Sequence, residues 1–326
     1  MIVFYLPYSV KILALEDMPS HPEVSVQPWT FVDCYRIWNN PRALPGRYTA
    51  VLGKEESPEK KRPLQSSGQV FTLYRVSKMA ALWAFDSLVF QRLLIAAFTN
   101  VTAADFAPHM EFLPLDRLLN MSAHEFRVRS IMSVQWIWSA YFFLEFYHCL
   151  LSIIFVSILR FDKPEEWPAL FGSPLEASTV RGFWAKFWHR LTVPTYTHYA
   201  LLISRKALGM RAGSRAEKTV VPMCIFLFAG LSHSLVGWAM GDAALSRDVL
   251  FCVVNFAAAA VEVAVSKALK GDTQARWPLP RIPAPLQKSL GLAGVFLFFF
   301  SVVPMWMYPK VYPSILAAQA QQFQFL

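Results

Sequence analysis

The sequence predicts an all-α fold: a polytopic bundle of transmembrane helices with about five to seven spans. Three observations carry this. Of the 326 residues, 55% are hydrophobic and 16% charged, against about 25% charged in soluble domains. Mean hydropathy is +0.34. Several apolar runs reach the roughly 20 residues that carry a helix across a bilayer. Length alone would allow two soluble domains, and the composition excludes them. The net charge of +9 does not imply nucleic acid, because no nucleic-acid-binding motif accompanies it. The basic residues lie between the apolar runs, where they set topology.

Two parts follow from the chain order. Residues 1–70 form an N-terminal interfacial and loop region, and 71–326 a multi-span domain. Residues 1–15 are apolar but short and contain Lys11; they lack the basic start and cleavage site of a signal peptide and read as an interfacial helix. The stretch 16–68 is rich in proline and polar groups, with a charge run at 54–63 that suits a solvated loop. Residues 71–98 are a weaker span, interrupted by Arg75, Lys78 and Asp86. A polar segment follows, 99–130, in which Asn100 and Asn120 begin glycosylation sequons. The strongest span is 131–159, carrying Glu145 and His148. Residues 160–218 read as a long basic loop, and 219–240, 249–268 and 289–309 as three more spans. With five spans, every strongly basic loop falls on one side, which should be cytosolic, and both sequons fall on the lumenal side. Cys34, Cys149, Cys224 and Cys252 are widely spaced; they read as small core residues rather than a disulfide frame or a metal site.

The segment 167–189 is aromatic, basic and polar at once. Phe183, Trp184, Phe187 and Trp188 recur at helical spacing, interleaved with Arg181, Lys186, His189 and Arg190. An interfacial helix anchored by tryptophans accounts for this pattern. So does a donor site in which the cations meet the phosphates of a cofactor such as coenzyme A. His233 lies well inside a span, where an imidazole needs either a neighbouring helix or a cavity; residue type leaves these even. Glu145 and His148 share a helix face and read first as a packing pair, with catalysis second. Asn255 and Glu262 read the same way. The motifs of soluble hydrolases, P-loops, dinucleotide folds and zinc sites are absent.

At these residues the chain resembles a known family. Trp167-Pro168-x-x-Phe171-Gly172-Ser173, then Ser178-x-x-Arg181-x-Phe183-Trp184-x-x-x-Trp188-His189, resembles the signature of wax synthase-like membrane-bound O-acyltransferases. Phe228-Ala229-Gly230-Leu231-Ser232-His233 resembles their second motif, with Ala229 where serine is usual. The Pro-rich stretch at 278–285 and the apolar helix after it are similar to the fungal branch, whose members acetylate terpenoid and related natural products. The motif core spans 160–310. The resemblance implies transfer of an acyl group, acetyl in the fungal branch, from acyl-CoA to the hydroxyl of an apolar molecule. It implies a membrane-embedded chamber, endoplasmic reticulum residence, no metal and no nucleic acid. It makes His233 the general base and His189 the second active-site histidine. Arg181, Trp184, Lys186 and Trp188 are then the donor-binding residues, and Ser232, Ser234 or amides near Gly230 candidate oxyanion donors. Two readings from other classes remain: a small-molecule transporter, disfavoured by the lack of repeats or paired broken helices, and a membrane scaffold with a decayed site.

Overall fold

The computed structural model describes Phe31, Tyr35, residues 68–271 and residues 283–324. The expected helix at 1–15, the charge run at 54–63, Cys34 and most of the Pro-rich stretch lie outside the described residues. Among the described residues every regular element is helical. The longer ones, in chain order, are α1 (Gly68–Ala97), α2 (Ala123–Ile158), α3 (180–187), α4 (193–207), α5 (Arg215–Ala239), α6 (Ser246–Gly271) and α7 (Ala284–Gln324). Five of them, α1, α2, α5, α6 and α7, are long and apolar enough to cross a membrane. They fall on the five predicted spans. The protein is an integral membrane protein.

Two spans run further than hydropathy predicts, for different reasons. Helix α2 begins at Ala123 rather than 131, taking in Glu125, Arg127 and Arg129. Arg129 is fully buried. It donates to the Glu125 carboxylate at 2.9 Å and to the carbonyls of Met110 and Phe112. Paired in this way, a buried guanidinium is tolerable, and a hydropathy window cannot see the pairing. Helix α7 continues past 309 to Gln324 and contains Pro304, Pro309 and Pro313. Proline at 309 has no N–H to give to the carbonyl four residues back. That carbonyl belongs to Met305, and Arg247 Nη1 lies 3.4 Å from it.

The segment 160–218, read as a long basic loop, is largely helical and partly buried. It holds α3, α4 and single helical turns at Pro164–Glu166 and Pro174–Glu176. Leu170, Phe171, Val180, Phe183, Phe187, Tyr196 and Ala200 within it are buried.

The chain divides into two compact units. The first comprises the described residues up to Ala84, then Phe142–Leu170 and Arg190–Val221. Its intramembrane charges are paired. Lys78 meets the Glu145 carboxylate at 2.8 Å, and Arg75 Nη1 lies 3.3 Å from His148 Nδ1 while its Nη2 donates to the Trp167 carbonyl. Glu145 and His148 of α2 each have a partner on α1, which is what a packing role requires. The second unit comprises Phe85–Tyr141, Phe171–His189 and Pro222 onward. Phe106, Val128, Met132 and Tyr308 form a buried cluster in it. It contains both histidines of the two motifs. Cys149, Cys224 and Cys252 are buried free thiols, as predicted for core residues.

Candidate active site

The site is built on α3, and four polar contacts hold α3 in place. A helix start leaves its first amides without acceptors. Here Thr179 Oγ1 accepts from Gly182 at 2.8 Å, and the Glu262 carboxylate of α6 accepts from Val180 at 2.7 Å and Arg181 at 2.9 Å. Glu262 thereby puts a negative charge at the positive end of the helix. Farther along, the Trp184 indole donates to Asn255 Oδ1 at 2.8 Å, and Asn255 Nδ2 donates to the Phe251 carbonyl at 2.8 Å. Asn255 is fully buried with both halves of its amide satisfied. Both residues, ambiguous in sequence, have structural tasks here.

The second half of α3 is a π-turn. Trp188 donates its amide to the carbonyl of Phe183 at 2.7 Å, five residues back, and the chain then extends. The wide turn gathers four aromatic rings into one cluster. Phe183 and Phe187 are buried, while Trp184 and Trp188 are half-buried. Gly172 lies against the end of this turn: its amide donates to the Phe187 carbonyl at 2.8 Å, and a Cβ added to it would overlap the Lys186 carbonyl oxygen. Only glycine fits such an approach. Phe171 then packs edge-on against Trp188 at 5.4 Å and His189 at 5.5 Å. The first motif is therefore mostly scaffold, and its products are the position of His189 and the exposed charges around it.

Those charges are Arg181 and Lys186, both exposed. Lys186 pairs with Glu176 at 2.9 Å, and this hydrogen bond holds the Glu176 carboxyl below the usual carboxylate range. An ion pair this open is weak and can be exchanged for an incoming anion.

Trp136 of α2 lies at the centre of the aromatic assembly. Its ring is 5.0 Å from Trp188, 5.3 Å from Phe299, 5.6 Å from Phe251 and 5.8 Å from Trp306. Nothing in the sequence distinguishes it from any other aromatic residue in an apolar span.

His233 lies on α5. At about 100° per residue, Phe226, Gly230 and Gly237 share its face. That face packs inward: Phe226 meets the Trp184 ring at 5.7 Å, and a Cβ on Gly230 would be 2.8 Å from the Val249 Cα of α6. Leu231, Leu235 and Trp238, on the opposite stripe, are exposed and suit lipid contact. His233 is exposed as well. The two histidines are linked through rings: His189 to Trp188, Trp188 to Trp184, Trp184 to Phe226, with His233 about two turns beyond on the same face.

Of the oxyanion candidates, Ser234 donates its hydroxyl to the Leu245 carbonyl at 2.7 Å. Gly230 lies in the interior of α5, where its amide belongs to the helical ladder. Their protons are committed. Beside Gly230 and Gly237, on the same face of α5, are groups the sequence did not mark. Asp248 is buried; it accepts from Trp306 Nε1 at 2.7 Å and from Lys310 Nζ at 2.9 Å, and Lys310 also pairs with Asp242. Among the described residues no group of three or more His, Cys, Asp or Glu is arranged to hold a metal ion.

Both motifs lie inside one family match. The model of the "Membrane bound O-acyl transferase family" matches residues 167–254. Over these residues the chain is similar to that family. The chain is similar to the acetyltransferase atnC of Arthrinium sp, at 28% identity over 63% of this chain and 46% of that protein. It is similar to the acetyltransferase ataH of Aspergillus terreus, at 29% identity over 51% of this chain and 54% of that protein. With the acetyltransferase TRI7 of Fusarium sporotrichioides it shares 34% identity over 36% of this chain and 27% of that protein. The chain thus spans about half or less of the length of these relatives. No solved structure matches it.

Proposed function

We propose that this protein is an acyl-CoA-dependent O-acyltransferase of the endoplasmic reticulum membrane. It moves an acetyl group to the hydroxyl of an apolar small molecule, a terpenoid or related natural product. The observation that carries this reading is that His233, within the family match, keeps an accessible ring on the inward-packed face of α5. The names of the relatives, all acetyltransferases, support acetyl as the group transferred.

The chemistry needs a base, because an alcohol at neutral pH is a poor nucleophile and imidazole has a suitable pKa. His233 takes the hydroxyl proton as the oxygen attacks the thioester carbonyl carbon. The tetrahedral intermediate collapses with cleavage of the C–S bond, the thiolate takes up the proton, and ester and free coenzyme A leave. His189, held by Phe171 and Trp188, orients the thioester from the α3 side. Arg181 and Lys186 meet the phosphates of the donor at the cytosolic surface, and the apolar acceptor enters from the bilayer. Comparing metabolites of cells with and without the gene tests the reading. A neutral apolar product heavier by one acetyl group, formed only with the gene and reproduced by microsomes given labelled acetyl-CoA, is expected. Microsomes that transfer no label to any alcohol of such an extract would overturn it.

A further inference from the structure

His233 does not act in an electrically neutral setting. Helices α5 and α6 come closest at Gly230, where an added Cβ would lie 3.2 Å from the Asp248 carbonyl oxygen. His233 is one turn farther along the same face. Ser234 is tied to the Leu245 carbonyl, so this part of α5 faces the first turn of α6. On the elements packed against this face, the charged groups are Asp248 of α6, whose backbone meets Gly230, and Lys310 of α7, which pairs with Asp248 at 2.9 Å. Lys310 bridges Asp248 and Asp242, the latter in the turn after α5. Arg247 is engaged elsewhere, with Glu111 at 2.8 Å.

The charges can be counted. Two carboxylates and one ammonium leave the group one unit negative while His233 is neutral. When the ring takes a proton, the group becomes neutral. Asp248 is buried, where its charge is weakly screened, so a negative group beside a base favours the protonated base. Asp248 is also fixed in direction: Trp306 Nε1 donates to it at 2.7 Å, and Trp306 is stacked on Phe251 at 4.3 Å. A rigid carboxylate keeps its field on the ring through the reaction and needs no reorganisation.

We infer that Asp248 is a positioning residue for acyl transfer: its charge stabilises the His233 imidazolium formed on proton uptake, while Lys310 tempers that charge and holds Asp248 in register. The inference rests on His233 being the base. Its test does not use catalysis as the readout. Diethyl pyrocarbonate modifies only the neutral imidazole, and His233 is accessible. The rate of His233 modification is followed by mass spectrometry as a function of pH, on the full chain in detergent micelles.

Relative to the parent, Asp248→Asn is expected to move the midpoint of the His233 profile down by about one pH unit, the scale of one nearby charge. Lys310→Gln should move it up. Asp248→Glu should bring it back towards the parent, which separates charge from damage to the fold. A carboxylate serving only to pack α6 against α7 would lower the melting temperature of both neutralising variants and leave the midpoint in place. That result overturns the inference, as does a shift in the same direction for both. His233→Ala turnover is measured separately. Opposite midpoint shifts alongside an active His233→Ala enzyme would retain the charge coupling and remove the assignment of His233 as base.

Discussion

Trp184→Phe should cost more by itself than in combination with a change at Asn255. The Asn255 amide is fully buried, accepting from the Trp184 indole at 2.8 Å and donating to Phe251 at 2.8 Å. Trp184→Phe strands the amide oxygen where water does not reach, a cost of about 1–3 kcal/mol. Trimming a half-buried indole adds roughly 1 kcal/mol of lost burial. Asn255→Leu removes the acceptor and leaves an indole N–H unsatisfied, also a loss of about 1–3 kcal/mol. In the double variant both unsatisfied groups are gone, because apolar surface faces apolar surface. The double change should therefore cost less than the two single costs together, with a coupling of about 1–2 kcal/mol. Unfolding free energies in mixed detergent micelles measure all three variants against the parent. Single costs that add within about 0.5 kcal/mol, the usual scatter of independent sites, would show that this contact does not place α3, and the account of the first motif as scaffold would lose its main support.

Three further outcomes are expected. Cysteines introduced at the exposed positions Leu175 and Leu119 should label from opposite sides of sealed microsomes, Leu175→Cys from the cytosolic side; labelling of both from one side would remove the orientation argument. Neutralising Arg181 and Lys186 together should raise KM for acetyl-CoA with kcat nearly kept, since they supply ground-state binding; an unchanged KM would leave them as topology residues. The third concerns acid stability. Burial acts to raise the Asp242 carboxyl, but the Lys310 hydrogen bond and the Ala244 amide outweigh it, and the carboxyl ends below the usual range. A carboxyl depressed in the fold holds its proton more weakly there than in the unfolded chain. Its contribution is therefore fully present above the ordinary aspartate value of about 4 and drains away as pH falls through the folded value. Thermal stability of the parent should fall across that window, and Lys310→Met should flatten the dependence. An equally steep fall in Lys310→Met would show that the pair contributes nothing.

The spans were legible because crossing a bilayer requires a long apolar helix, and hydropathy reads that property directly. Their ends were not. Arg129 looks like the end of a membrane segment until Glu125 and two carbonyls are seen around it. The segment 160–218 misled for a related reason. Its buried residues come singly or in pairs among exposed lysines and arginines, too sparse for a window set to the width of a membrane. At the site, the aromatic spacing and the two histidines stood out in the sequence. Glu262 and Asn255 stood out as polar groups in apolar runs, but only contacts could show which groups they serve. Asp248, Lys310 and Trp136 carried no signal, since each becomes informative only through residues distant in the chain.

The central claim is that His233 is the base of an acyl transfer. The most direct measurement is turnover of purified, folded His233→Ala with labelled acetyl-CoA and the acceptor found in the metabolite comparison, alongside acetyl-CoA binding by the same preparation. General-base catalysis contributes about 10²–10⁴-fold, so kcat should fall by that factor while acetyl-CoA still binds. Near-normal turnover in a folded His233→Ala enzyme would contradict the account and place the base elsewhere.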